Sequence, residues 1–314
     1  MTAYSLPPGI TVFERGWLSA NNIFHFGEGD VSVVDTGYWA HQHLTLELIR
    51  NAMEKHHLPT VNKVVNTHLH SDHCGGNQLL AKTFDCQVWI PAAEAPAVQD
   101  WNEGLLSYQN LGQECPRFNH HGLLIPGEEI QLGRYQWRIL AAPGHDPHSV
   151  MLYQEQNRIL ISADALWEEG FGVIFPELWG EAGFEEVSQT LDLIESLSID
   201  LVIPGHGAPF EDVVKAVAIA RSRLDYLASD PDRNARHGAK VLLKYKLLEW
   251  HQREMDFVNN WIMSINNLIM STPALMSAAK QLNMGADEFV SWLPQALIKS
   301  GAARLDGQYL VDKA

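Results

Sequence analysis

The sequence predicts an α/β fold with a mainly helical C-terminal region. Two observations carry this. Through about residue 210, short apolar β-type runs alternate with helix-periodic stretches, and from Glu211 onward the pattern is helical almost throughout. Metal-binding residue types also recur where β-type runs end in turns, as in Pro143-Gly144-His145 and Pro204-Gly205-His206. Strand ends on one edge of an α/β sandwich converge, and sites form there. The polar, Pro-containing stretch Ser229-Asp230-Pro231-Asp232 is the best linker, so the expected division is 1–228 and 229–314.

Taken in order, Val31–Asp35 is an apolar strand that ends in Asp-Thr-Gly. Leu44, Leu48, Ile49, Ala52 and Met53 share one helical face, and Pro59 stops that helix. Val61–Thr67 is the next strand, followed by a helix over Gln78–Phe84 and a strand over Gln87–Ile90. Glu94 to Asn119 has mixed polarity, with Trp101 and Tyr108, and predicts short helices over a site rather than core. Glu129–Leu132 and Tyr135–Ala141, joined at Gly133-Arg134, read as a hairpin. Val150–Tyr153 and Ile159–Ser162 are strands, Val187, Leu191 and Ile194 mark an amphipathic helix, and Leu201–Ile203 is the last clear strand. A long helix is predicted over Arg236–Ile265, then shorter ones near Ala274–Leu282 and Ala286–Lys299. Asp306-Gly307 within Ala303–Val311 signals a hairpin. Two helices followed by a small hairpin resemble a winged helix.

Composition narrows the function. The 314 residues are 46% hydrophobic and 19% charged, enough apolar content for a sizeable core. Lys and Arg number 22 against 38 Asp and Glu, for a net charge of −16. That field opposes general binding of nucleic acid or an anionic membrane. No apolar run is long enough to span a membrane. Met1 to Asn22 lacks the basic head and apolar run of a secretory signal. Cys74, Cys86 and Cys115 cannot make a disulfide framework, so a reducing cytoplasm is the expected location. The expected partner is a small-molecule substrate, with neither nucleic acid nor membrane; a homo-oligomer is an open alternative to a monomer.

The histidines point to chemistry. Thr67-His68-Leu69-His70-Ser71-Asp72-His73-Cys74-Gly75-Gly76 directly follows a predicted strand and holds four metal-capable side chains within six residues. In an extended turn His68 and His70 point the same way and can share one metal, while Asp72 and His73 turn toward an adjacent position. Gly75 and Gly76 let the backbone reverse and start the next helix. A lone His-x-His is more often a surface pair, but this pattern favours a metal site. Imidazole nitrogen and carboxylate oxygen suit zinc, and also iron or manganese. His145, Asp164 and His206 add ligand-type residues at three later strand ends.

On Asp35, His68–His73, His145, Asp164 and His206, in that order, the chain resembles the metallo-β-lactamase superfamily of hydrolases, and most of all its glyoxalase II branch, over about residues 10–210. The resemblance implies an αββα sandwich with two divalent metal ions along one edge, zinc first among the candidates. His68, His70 and His145 would hold one ion, Asp72, His73 and His206 the other, and Asp164 would bridge them. The implied function is hydrolysis of a thioester, or a related small ester or lactone, by a metal-bridging hydroxide. Asp72 would also act catalytically, orienting the attacking oxygen or passing on a proton. Asp35 would support the metal loop.

Some features depart from that pattern. The run His145-Asp146-Pro147-His148 replaces the Thr that usually follows the equivalent histidine, and Asp146 and His148 either contact substrate or brace His145. Trp167, Phe171, Phe175 and Trp179 either wall an acyl pocket or fill core. Cys74 reads as packing rather than as a ligand. Arg236, Lys240 and Lys244 recur on one helical face, either to reach an anionic carrier or as a solvated stripe. The remaining histidines, His25 and His237 among them, read as core or surface. Two alternative functions remain at this level. One is a mononuclear nonhaem iron oxygenase of the same superfamily. The other is a nucleic-acid processing hydrolase, which the charge-neutral segment 270–314 disfavours. True β-lactamase activity ranks lower still.

Overall fold

The computed structural model of the protein describes residues 4–263 and 273–313. Its first sheet runs β1 (Ile10–Phe13), β2 (Asn22–Gly27), β3 (Asp30–Val34), β4 (Lys63–Val65), β5 (Gln87–Pro91) and β6 (Gly122–Leu124), neighbours in that order. β1 to β3 form an antiparallel meander, and β3 to β6 are parallel. The second sheet holds β7 (Glu129–Leu132), β8 (Tyr135–Ala141), β9 (Val150–Gln154), β10 (Ile159–Ala163) and β11 (Leu201–Pro204). It is antiparallel except where β10 meets β11.

The inner faces meet in a core that draws Ile23, Val34 and Val65 from one sheet and Trp137, Leu152, Ile161 and Ile203 from the other. Helix Gln42–His56 covers the outside of the first sheet with Leu46, Ile49 and Met53. Helices Phe184–Ser196 and Val213–Ala228 cover the second through Leu191, Ile194, Ala220 and Leu224. β9 and β10 are buried at every position because both of their faces are covered. This is the αββα sandwich expected from the sequence.

His25 lies in β2, fully buried, with its ring edge-on to Trp137 at 5.3 Å. Neither ring nitrogen has a hydrogen-bond partner. Burial lowers its pKa to about 3, against a smaller opposite pull from Asp30.

Three strands of the sandwich were not anticipated. β2 carries Asn22 and His25 among its apolar residues, and β6 is only Gly-Leu-Leu, so neither shows a clear period. β1, Ile-Thr-Val-Phe, is four residues long. The long helix predicted over Arg236–Ile265 is a correction. Helix Pro231–Trp250 ends where His251 turns to φ 64°, and β12 (Gln252–Glu254) follows before a second helix, Met255–Ile262. No Gly or Pro marks that break, and β12 exists because it pairs with a hairpin some fifty residues later, β13 (Ala303–Asp306) and β14 (Tyr309–Asp312). Ser264 and Ile265, the end of the predicted helix, lie outside the described residues.

Helices Pro273–Gln281 and Ala286–Lys299 precede the hairpin, so the C-terminal region has the winged-helix-like order with one added strand. Its core is shared: Val173, Phe175 and Leu178 pack among Leu242, Leu275, Phe289 and Leu293.

Candidate metal centre

The site forms where strands end. Asp35, just past β3, takes a left-handed φ of 56°, which a short acidic residue tolerates. Its carboxylate accepts from the Thr67 backbone N–H at 2.9 Å, the Thr67 hydroxyl at 2.8 Å and His73 Nδ1 at 2.8 Å. Asp35 holds His73 by Nδ1, which turns Nε2 toward the site. That atom is buried and has no hydrogen-bond partner.

The short helix Ser71–Cys74 starts directly after His70 and turns Asp72 and His73 inward. His68 Nε2 lies 3.1 Å from His70 Nδ1, which lies 2.8 Å from His145 Nε2. His145 enters from the loop after β8. Its Nδ1 donates to the Val173 carbonyl at 2.5 Å, so its Nε2 faces the other two imidazoles as a lone pair. Asp164, just past β10, sits between the two histidine groups. Its oxygens are 3.4 Å from His73 Nε2, 3.4 Å from His145 Nε2 and 3.9 Å from His206 Nε2. His206, past β11, lies 3.2 Å from Asp72.

The ligand atoms thus fall into sets within 4.8 Å: His68, His70 and His145; Asp72, His73 and His206; and His68 and His73 with Asp164. The two outer sets bring together the same residues that the resemblance groups. Cys74 belongs to none of them. Its thiol lies 3.1 Å from the Tyr108 hydroxyl and 3.7 Å from the Cys115 sulfur, and burial pushes its pKa well up.

The electrostatics ask for positive charge. Burial lowers the pKa of His68 well below normal and those of His70 and His145 to about 4, so these rings are neutral donors of lone pairs. Burial works against ionised carboxylates too, but His73 and His206 hold Asp164 well below the usual range and Asp72 below it. Burial alone would lower His73, yet Asp35, Asp164 and Asp72 raise it well above normal. Among the described residues, Asp72 and Asp164 have ion pairs only with histidines.

A family model of the metallo-beta-lactamase superfamily matches residues 15–206. The chain belongs to this superfamily. Its superfamily segment is 25% identical over 171 residues to a probable metallo-hydrolase of Methanocaldococcus jannaschii, covering 52% of this chain and 78% of that protein. It is 25% identical over 137 residues to a hydroxyacylglutathione hydrolase of Bdellovibrio bacteriovorus, covering 43% and 44%. The chain therefore spans less than half the length of that relative. Among solved structures, a metallo-beta-lactamase family protein from Thermus thermophilus is 20% identical with a TM-score of 0.57, covering 98% of this chain and 100% of its own. A beta-lactamase domain protein from Burkholderia ambifaria is 20% identical with a TM-score of 0.58, covering 100% and 96%. These likenesses support the fold over the full length, C-terminal helices included.

As in the sequence reading, this superfamily member carries Asp35 beneath the metal loop. Of the two roles open to Asp146, bracing His145 is not the one seen: one carboxylate oxygen is 3.7 Å from His70 Nε2, and the other accepts the His148 N–H at 2.8 Å. It therefore faces His70 rather than His145. His148 turns away to Glu94 at 3.0 Å.

Two glycines were not singled out. A Cβ on Gly172 would sit 2.5 Å from His145 Nδ1, and one on Gly205 would sit 2.2 Å from Asp164 Oδ1. Gly205 stood in a quoted motif, whereas Gly172 carries no local signal.

A cavity of about 250 Å³ opens from the centre, lined by His70, Asp72, His145, Asp164 and His206 at one end. Trp167, Phe171 and Phe175 wall it, while Trp179 packs in the C-terminal core. Trp17 stacks on His206 at 5.4 Å and meets Trp167 edge-on at 5.2 Å. Of the basic stripe, Arg236 pairs with Asp232 and covers Trp292, and the Lys244 ammonium bonds Asp312 and the carbonyls of Ala302 and Lys313. These contacts oppose the carrier-binding reading for both. Lys244 lines the cavity with that ammonium already engaged, and His237 and Arg223, which the sequence did not mark, line it too. No helix among the described residues is long and apolar enough to cross a membrane.

Proposed function

We propose that the protein is a dinuclear metal hydrolase that cleaves a thioester, or a related small ester or lactone, of a small molecule in the cytoplasm. The observation that carries this is the convergence of three buried imidazoles, His68, His70 and His145, beside a second set, Asp72, His73 and His206, with Asp164 between them. The residues fit cations. His73 Nε2 is buried with no hydrogen-bond partner, and two buried carboxylates lack any Lys or Arg partner among the described residues.

His68, His70 and His145 would hold one ion, Asp72, His73 and His206 the second, and Asp164 both; the nitrogen and oxygen set favours zinc. Bound cations supply an acidified water and an electrophile for a carbonyl oxygen. The chain's own groups do the rest. Asp35 and the Val173 carbonyl fix the tautomers of His73 and His145, which keeps the ligand nitrogens aimed without reorganisation. Asp72, at the cavity wall beside His206, is placed to orient the attacking oxygen and take its proton. Trp167, Phe171 and Phe175 exclude bulk water and offer an apolar bed for an acyl group. The hydroxyacylglutathione hydrolases among the relatives support a thioester first.

The test is elemental analysis of the protein as purified, followed on the same sample by acyl thioesters, lactones and a β-lactam. Two ions per chain with thioester or lactone turnover are expected. One iron per chain with oxygen-dependent turnover would overturn the proposal, and so would turnover of the β-lactam alone.

A further inference from the structure

The cavity wall also holds a cation outside the histidine and aspartate cluster, which hydrolysis itself does not use. Arg223, on helix Val213–Ala228, and His237, on helix Pro231–Trp250, both line the cavity. An Arg223 Nη2 proton is donated to His237 Nε2 at 2.7 Å. His237 can accept because it is neutral: burial first, then Arg223 and Lys240, holds its pKa at about 3. The guanidinium also lies over the Phe171 ring, 5.2 Å from its centroid. Gly170 closes on it from a third side, where an added Cβ would meet Nη1 at 2.9 Å. Three contacts therefore fix the guanidinium, and none of them is an anion.

This is unusual among the arginines nearby. Arg221 pairs with Asp192 and Glu195, Arg233 with Asp230, and Arg236 with Asp232. Arg223 has no carboxylate within ion-pair distance among the described residues, and burial is the one influence acting on its pKa. A chain with 38 acidic residues has left this cation without one. A partly desolvated guanidinium is costly unless an anion arrives to pair with it. Its nitrogens are not sealed off, so several of its N–H donors remain available.

We propose that Arg223 is an anion subsite, which takes a carboxylate at the far end of the substrate's apolar acyl chain. The proposal rests on the hydrolase reading, with the scissile carbonyl at the histidine and aspartate cluster. Phe171, Val173, Phe175, Val241 and Leu242 line the space and suit a methylene chain. The planar fork of a guanidinium matches a carboxylate. A single guanidinium balances one negative charge, and the neighbouring Lys244 ammonium is already taken by Asp312, which favours a carboxylate over a dianionic phosphate.

The experiment has two arms on the zinc-reconstituted full-length protein. The first compares kcat/KM for thioesters of straight-chain dicarboxylic acids, from succinate to suberate, with monocarboxylic acyl thioesters of equal length and with a phosphate-terminated analogue. Wild type is expected to favour one length of carboxyl-terminated chain by about tenfold over its neutral match, and Arg223→Met to bring that ratio near unity. Arg223→Lys is expected to restore part of it. Equal rates for charged and neutral chains in wild type would overturn the proposal without reference to any variant. Preference for the phosphate analogue would overturn the carboxylate assignment. The second arm measures binding of the free dicarboxylates and monocarboxylates by calorimetry. If no thioester turns over, the thioester reading fails, yet calorimetry still decides the subsite. About tenfold tighter binding of a dicarboxylate that Arg223→Met abolishes supports it, and indifference to the second carboxylate overturns it.

Discussion

Replacing His25 by Phe should make the protein more resistant to acid. His25 is fully buried against Trp137 with both ring nitrogens unpartnered, and burial lowers its pKa from the ordinary 6.5 to about 3. The sign follows from where the protons go. Above pH 6.5 the ring is neutral in both the folded and unfolded chains. Below that, the unfolded chain takes up a proton that the folded one refuses, so stability drains away as pH falls from 6.5 toward 3. At about 1.36 kcal/mol per unit, a fall from pH 6.5 to about pH 5 costs wild type about 2 kcal/mol that His25→Phe does not lose. The readout is the difference between the two urea unfolding free energies at each pH, in which other titrating groups cancel. The extra carbon of Phe shifts both points alike and leaves the pH slope untouched. A difference that stays flat between the two pH values would show that the buried imidazole is solvated or protonated in the fold, and the reasoning would fail.

Other outcomes follow from the site. Gly172→Ala, at a backbone that accepts alanine, drives a Cβ to 2.5 Å from His145 Nδ1 and should lower zinc content by one ion per chain while circular dichroism stays native; full occupancy would show that the loop simply yields. Asp35→Asn removes the charge that orients His73 and should weaken metal affinity by about 10- to 100-fold in a chelator competition. His70→Ala or Asp164→Ala should strip metal and abolish turnover, and a variant with full activity would remove the proposed mechanism. Trp17→Ala uncovers His206 and should raise KM more than it lowers kcat, since the ring lines the cavity and stacks on His206; the reverse split would assign Trp17 to the chemical step.

The ligand set was legible because each member sits beside its own local signal. The His-x-His-x-Asp-His run, the Pro-Gly-His turns and the Asp after β10 all stand where an apolar run stops, and chain reversal at one sheet edge brings them together. What escaped notice depends on partners far away in sequence. β12 is three residues with no alternation, and it is a strand only because β14 lies beside it. The role of Gly172 depends on where His145 arrives from another loop. Arg223 and His237 lie on different helices, and helical periodicity cannot say which turn of one will face which turn of the other. The aromatic run divides as well: Phe171 and Phe175 line the cavity, whereas Trp179 only packs against the C-terminal core that Phe175 also joins.

The loop that carries Val173 answers to two masters. Its carbonyl fixes His145, while its side chains at Val173, Phe175 and Leu178 are sunk among the C-terminal helices, and Asn234 clamps the Ile174 carbonyl at 3.0 Å. A lineage that exchanged this tail for another would unsettle His145 through the Val173 carbonyl. Drift in the tail can instead reshape the mouth of the cavity a little at a time, leaving every strand in place. Selectivity and catalytic competence are thus tied to one short stretch of chain, and neither can be remodelled without consulting the other.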